Sequence, residues 1–288
     1  MKKNKILNII TLTRPKHIVK NLLVFMPLLF SVNAITSNQF LTIFGSFIVF
    51  CFVASSVYII NDYNDIEKDR LHPVKKKRPL ASGSVSKLEA KILLTILFGL
   101  AIILSIFFHI PIPSLILLAI YFVINLAYSF GLKNIPIIDV VILASGFIIR
   151  LFFGSSVIGI KISSLLYLVV MSGAFYLGVS KRYNEIIKIG HNTRAVLKKY
   201  TTEYLKLISN IFISLVIVFY TQWCMQAKEG TRDLFLASIP GLIIVLMIYI
   251  YSSEKDHCGD PTDLIMKNKF LLISGLSLFA YLMVIIRL

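Results

Sequence analysis

Apolar runs long enough to cross a hydrocarbon core, about 20 residues at 1.5 Å rise each, recur along the whole chain. The pattern predicts nine spans, at roughly 21–37, 39–60, 88–108, 112–131, 136–157, 163–181, 204–224, 233–251 and 269–287. The third and fourth are split by His109-Ile110-Pro111-Ile112-Pro113 and could form one re-entrant unit, but two spans fit the lengths better. The expected fold is all-α: a polytopic membrane bundle of nine transmembrane helices in a single domain over residues 1–288. Residues 4–19 alternate Ile, Leu and Val with Lys, Arg and Thr, so residues 1–20 are expected to lie along the membrane surface. Of the polar connections, 61–88 and 181–204 are long and densely charged, and loops of that kind carry function when a rigid scaffold positions them.

Composition agrees with lipid as the solvent. The chain is 57% hydrophobic with a mean hydropathy of +0.82, and only 15% of it is charged, against about 25% for a soluble domain. A net charge of +16 would suit nucleic acid, but its placement argues otherwise. With nine spans, 25 of the 30 Lys and Arg residues fall on one side and 4 on the other, while Arg150 lies inside a span. The rich side is therefore expected to be cytoplasmic, with the N-terminus inside and the C-terminus outside a cell membrane. The first apolar run lacks a small-residue cleavage pattern, so no removable signal peptide is expected. Cys51, Cys224 and Cys258 have neither metal nor redox spacing and read as apolar filler.

Asn61-Asp62-Tyr63-Asn64-Asp65-Ile66-Glu67-Lys68-Asp69 closes the second span. On a continued helix Asp62, Asp65 and Asp69 share one face, Asn61 and Tyr58 extend it, and Glu67 points nearly opposite. Three carboxylates on one face repel one another unless a cation sits among them. Hard oxygen ligands with room for water suit Mg²⁺ bound together with substrate phosphates. The plainer reading is a solvated helix end, its acids paired with Lys68 and Arg70. Ionisable groups at a membrane boundary are costly and usually functional, which favours the metal site.

A basic strip follows: Arg70, His72, Lys75, Lys76, Lys77 and Arg78, then Pro79-Leu80-Ala81-Ser82-Gly83. Acids for a metal beside cations for phosphate oxygens describe a diphosphate site. A topology signal touching anionic lipid accounts for part of Lys75–Lys77. Farther on, Tyr128, Ser129 and Lys133 close the fourth span, and the fifth opens at Asp139 and carries Arg150. Asp139, Gly146 and Arg150 fall on one line, with Arg150 about 16 Å deeper than Asp139 at 1.5 Å per residue. An arginine that deep is expected to bind an anion at the floor of a pocket; a buried ion pair, with Asp139 through water, is the alternative. Lys181, Arg182, Tyr183 and Glu185 end the sixth span, where cations also suit the helix dipole without further function.

The motif N-D-x-x-D-x-x-x-D at the end of the second of nine spans resembles the UbiA superfamily of intramembrane prenyltransferases. Three further stretches resemble its decaprenyl-phosphate phosphoribosyltransferase branch. They are Thr13-Arg14-Pro15-Lys16-His17-Ile18-Val19-Lys20-Asn21 with Leu22 to Leu28, Asp69 to Lys75 with Arg78-Pro79, and Tyr128-Ser129-x-x-Leu132-Lys133 followed by Asp139-Val140 and Gly146-Phe147-x-x-Arg150. The likeness covers most of residues 13–185. It departs at His17, where an aromatic Trp is usual. Members that use prenyl diphosphates also resemble each other in a second aspartate motif after the sixth span. This chain has Tyr183-Asn184-Glu185-Ile186 there and no Asp between Asp139 and Asp233.

The resemblance implies transfer of a 5-phosphoribosyl group from phosphoribosyl diphosphate to a polyprenyl monophosphate. It implies Mg²⁺ on Asn61, Asp62, Asp65 and Asp69; donor contacts from Lys20, Tyr58, Tyr128, Lys133, Asp139 and Arg150; and lipid-phosphate contacts from Arg70, His72, Lys75 and Arg78. Lys181, Arg182 and Glu185 are further candidates. The alternatives are a prenyl-diphosphate:aromatic-acceptor prenyltransferase and a non-enzymatic lipid-binding or transport bundle. One-sided clustering of the charges speaks against the last.

Overall fold

A computed structural model describes residues 2–31, 36–72, 74–190, 195–256 and 261–288. Cys258, His191, His257 and Asp260 lie outside them. The described residues are helical throughout, with no strand. In order they form α1 (Lys2–Leu12), a 3₁₀ segment Pro15–Phe25, α2 (Met26–Leu29), α3 (Ser37–Asn64), α4 (Ile66–Leu71), α5 (Lys87–Phe107) and α6 (Ile112–Phe130). Then come α7 (Ile138–Ile158), α8 (Ser164–Ile189), α9 (Thr202–Met225), α10 (Glu229–Ala237), α11 (Ile239–Asp256), α12 (Pro261–Lys267) and α13 (Lys269–Ile285).

Starts and stops follow side-chain chemistry. Thr36 with Gln39 and Ser86 with Glu89 form reciprocal capping boxes that satisfy the first N–H groups of α3 and α5. Ser163, Thr201 and Asn268 cap α8, α9 and α13, each cap contributing about 1 kcal/mol.

Seven helical stretches among the described residues are long and apolar enough to cross a membrane, with α10 and α11 counted as one. The pair α12–α13, bent by 96°, would make an eighth. Eight of the nine expected spans thus have a helical counterpart. The exception is 21–37, which holds the end of an eleven-residue 3₁₀ segment and the four-residue α2. Met26 keeps the right-handed α conformation (φ −54°, ψ −45°), and Pro27 sits in the first turn of α2, where its missing N–H leaves no helical bond unmade.

Two compact units partition the chain. The first comprises Met1–Met26, Ile35–Lys133 and Ile149–Gly159. In it α3 packs along α5 and α6, with the 3₁₀ segment laid against α3. The second comprises Pro27–Ala34, Asn134–Ile148 and Ile160–Leu288, with α8 packed along α9, and α11 against α13.

In the first unit Gly154 of α7 meets the 3₁₀ segment so closely that a Cβ there would stand 1.9 Å from the Val24 carbonyl oxygen. Only glycine permits that approach. It brings the backbone one helical turn from Arg150 against the backbone three residues from Asn21.

Candidate functional site

Helix α3 carries the first half of the acidic motif, through Asn64, and the chain turns at Asp65 (φ −97°, ψ 9°) before α4 carries the rest. The i to i−4 bonds nonetheless continue across the turn, with Asp65 N–H donating to Asn61 O (3.0 Å) and Asp69 N–H to Asp65 O (2.8 Å). The backbone bonding thus carries on past Asp65 although the two helices are not one straight rod.

Each of the three acids is paired with a cation. Asp62, 3% exposed, accepts from Arg14 and, at 3.0 Å, from Arg78 Nη1. The same Arg78 nitrogen lies 2.7 Å from Asp69 Oδ2. Lys133 Nζ reaches both oxygens of Asp65, at 2.8 and 2.6 Å. Asp62 and Asp69 thus share a guanidinium, while Asp65 faces an ammonium. Arg14 also lies 4.9 Å over the Tyr58 ring, which packs against His17. Glu67, as expected, points away and meets only exposed Arg70, at 3.0 Å.

The donor set is all oxygen, which suits a hard divalent cation. No group of three His, Cys, Asp or Glu side chains among the described residues is arranged to hold a metal ion by itself. The residues fit an ion shared with substrate phosphates better than one enclosed by protein.

Of the basic strip, Arg78 enters this cluster. Arg70 Nε donates to Ala81 O at 3.2 Å, and His72 Nδ1 accepts from the N–H groups of Val74 (3.2 Å) and Lys75 (3.3 Å), closing a turn. Lys75 is half-buried beside that turn. Lys20 and Tyr128 are likewise half-buried, on the 3₁₀ segment and α6.

Arg150 is 4% exposed. Its Nε donates to Asn21 Oδ1 (2.8 Å) and its Nη2 to the Tyr121 hydroxyl (3.1 Å), while the guanidinium faces the rings of Phe50 (5.1 Å) and Tyr121 (4.9 Å). Asn21 in turn donates to Cys51 Sγ at 3.2 Å.

Asp139, aligned with Arg150 in sequence, finds other partners. In the second unit Arg182 Nε donates to its Oδ2 (2.6 Å) and the Tyr200 hydroxyl to its Oδ1 (2.7 Å). Both ion-pair side chains are 0% exposed, and Arg182 also donates to Glu185 at 2.7 Å. The Ile137 N–H donates to the Tyr200 oxygen (2.6 Å), pinning a β-branched residue at φ +69°. Burial, and behind it the Asp139 carboxylate, holds the Tyr200 phenol above its ordinary pKa, so it stays protonated and donates. Lys181 is half-buried beside this network.

Sequence reasoning missed Arg14, Asn21, Tyr121 and Tyr200. Arg14 and Asn21 lay inside the quoted Thr13–Asn21 stretch, but their partners are 48 and 129 residues away. Periodicity carries no signal for such pairs.

Residues 22–281 match the UbiA prenyltransferase family, and the chain belongs to that family. It is a multi-pass membrane protein. Among its relatives is the decaprenyl-phosphate phosphoribosyltransferase of Mycolicibacterium smegmatis, 30% identical over 94% of this chain and 90% of the relative. The enzyme of that name from Corynebacterium glutamicum is also 30% identical, over 92% and 82%. Among solved structures, a UbiA homolog from Archaeoglobus fulgidus bound to GPP and Mg²⁺ superposes with a TM-score of 0.68 over 96% of this chain and 98% of that one, at 18% identity.

Proposed function

We propose that this enzyme transfers a 5-phosphoribosyl group from phosphoribosyl diphosphate to a polyprenyl monophosphate and releases diphosphate. Whole-length similarity to relatives that carry that activity in their names is the observation that carries the reading. The local chemistry supports it: an acidic cluster and a deep guanidinium lie in one unit. The whole chain acts as one domain in the cell membrane, with the N-terminus and the acidic cluster on the cytoplasmic side, where the soluble donor is found. That orientation rests on the one-sided charge.

Asn61, Asp62, Asp65 and Asp69 would hold Mg²⁺, which when bound supplies positive charge to the leaving diphosphate. Arg14, Arg78 and Lys133 are cations already poised beside carboxylates and free to exchange them for phosphate oxygens. Arg150, with Lys20, Tyr58 and Tyr128, holds the 5-phosphate and ribose. Arg70, His72 and Lys75 guide the lipid phosphate, and Arg78 serves both substrates. The bond from the anomeric carbon to diphosphate oxygen breaks as a lipid-phosphate oxygen bonds to the opposite face. That nucleophile is ionised beforehand, so orientation and charge stabilisation suffice without a strong base. Glu185, in the stretch where relatives acting on prenyl diphosphates resemble each other in a second acidic motif, is committed to Arg182. Its engagement favours the ribosyl donor over a prenyl diphosphate.

Purified protein given Mg²⁺, polyprenyl phosphates of several lengths and either ribose-labelled phosphoribosyl diphosphate or labelled prenyl diphosphate tests the assignment. Label from the ribosyl donor should enter the lipid product. Phosphoribosyl diphosphate should also raise the melting temperature in Mg²⁺, and EDTA should remove most of that rise. Incorporation of prenyl label alone would replace this reading with an aromatic prenyltransferase.

A further inference from the structure

Inside the second unit, α8, α9, α11 and α13 enclose an apolar groove of about 390 Å³. Its lining is apolar apart from two tyrosines, Tyr176 and Tyr249, whose rings meet edge-on at 5.8 Å. Two glycines on facing helices leave it open: a Cβ at Gly275 would meet nothing within 4 Å, and one at Gly173 only Val216, at 3.9 Å. The groove does not end blindly. Tyr176 and Ile213 also line a polar pocket of about 60 Å³, reached one turn farther along α8, α9 and α11.

That pocket is lined by the buried Ser180, Asn184 and Ser253, and by the exposed Asn210, Lys206 and Glu254. Asn184 and Ser253 are bonded to each other at 2.7 Å, which fixes the wall. It has room for a small head group rather than a sugar. An apolar trough leading at one end into a compact polar pocket matches a single amphipathic molecule, its chain among the groove residues and its head at the membrane boundary.

The charges select the head. One ammonium, Lys206, and one carboxylate, Glu254, face the same small space. A head group with only negative charge would meet Glu254 as well as Lys206, whereas one carrying both phosphate and a primary ammonium matches each in turn. We infer that the second unit binds a bilayer phospholipid of the phosphatidylethanolamine type, its acyl chain in the Gly173–Gly275 groove, its phosphate on Lys206 and its ammonium on Glu254. The lining of this site shares no residue with the acidic cluster, and the inference stands whether or not the ribosyl-transfer reading holds.

Native mass spectrometry of the delipidated full chain tests it, with titrations of phosphatidylethanolamine, phosphatidylglycerol and a polyprenyl monophosphate. Phosphatidylethanolamine should bind about tenfold more tightly than phosphatidylglycerol. Lys206→Ala and Glu254→Gln should each erase that preference, and Gly275→Leu should weaken both phospholipids by obstructing the groove. If Gly275→Leu fails to fold, the two rim variants, on exposed side chains, still decide the matter. Equal binding of the two phospholipids, indifference to the rim variants, or displacement of phosphatidylethanolamine by polyprenyl phosphate through Lys206 would overturn the inference.

Discussion

Both units bury carboxylates against cations, yet to opposite ends. In the first, the cations keep a partly wet side: the side chains of Arg14, Arg78 and Lys133 are 20%, 26% and 14% exposed. In the second, Asp139 and Arg182 are sealed, and Tyr200 and Glu185 complete their hydrogen bonding. A cation with solvent access can trade one anion for another at little cost, because water and ligand compete on similar terms. A sealed pair cannot, since parting it leaves a naked charge in a dry interior. The same residue types thus make an exchangeable site in one unit and a clamp in the other.

Breaking the exchangeable side should cost chemistry alone. Asp65→Asn should lower turnover by about 10²–10³-fold, the scale of losing one preorganised electrostatic group, with the melting temperature held or raised. Near-normal activity of this variant in Mg²⁺ would remove the acidic cluster from the mechanism.

Breaking the clamp should do the reverse. Arg182→Ala leaves Asp139 buried and unpaired and should cost about 3–5 kcal/mol of stability, read as early thermal aggregation. Tyr200→Phe is a gentler probe. It withdraws the donor to Asp139 and the acceptor for Ile137 N–H, for about 1–3 kcal/mol, while the Arg182 ion pair stays. If either variant kept wild-type stability but lost donor binding, the second cluster would belong to the active site after all.

Arg150 is buried, with Asn21 and the Tyr121 hydroxyl among its hydrogen-bond partners. Arg150→Lys retains the charge and loses the planar fork shared by Asn21 and Tyr121. Donor affinity should fall about tenfold, with acceptor affinity unchanged, measured as separate KM values for the two substrates. Loss confined to the acceptor would mean that Arg150 serves the lipid. The smallest effect should come from Glu67→Gln, whose carboxylate meets only exposed Arg70. Activity should stay within about twofold, as for surface changes away from special features.

Much of this was legible in the residues. Hydrophobic run length located eight helical stretches, since crossing a bilayer leaves a long and unmistakable trace. Over 21–31 the described residues hold the end of a 3₁₀ segment and the short α2 rather than one long helix. The helical wheel put Asp62, Asp65 and Asp69 on one face; in the structure Asp62 and Asp69 share Arg78, whereas Asp65 goes to Lys133. Partner choice was another matter. Asp139 and Arg150 share a helix line, yet one turns to Arg182 and the other to Asn21. Those choices depend on which distant helices arrive alongside, and no spacing within α7 records that.

The contact between Gly154 and Val24 has a consequence for how this chain tolerates change. Gly154 bears no functional group and takes part in no proposed step, but any side chain there would collide with the Val24 carbonyl and push the 3₁₀ segment off α7. Asn21 would be carried away with it, and Arg150 would lose the partner that orients it. A saturation library of the first unit, scored for growth or enzyme function, should therefore place its most intolerant position at a glycine one helical turn from the arginine. Even alanine should fail there, while exposed apolar positions of the same unit such as Ile103, 62% exposed, accept most apolar residues.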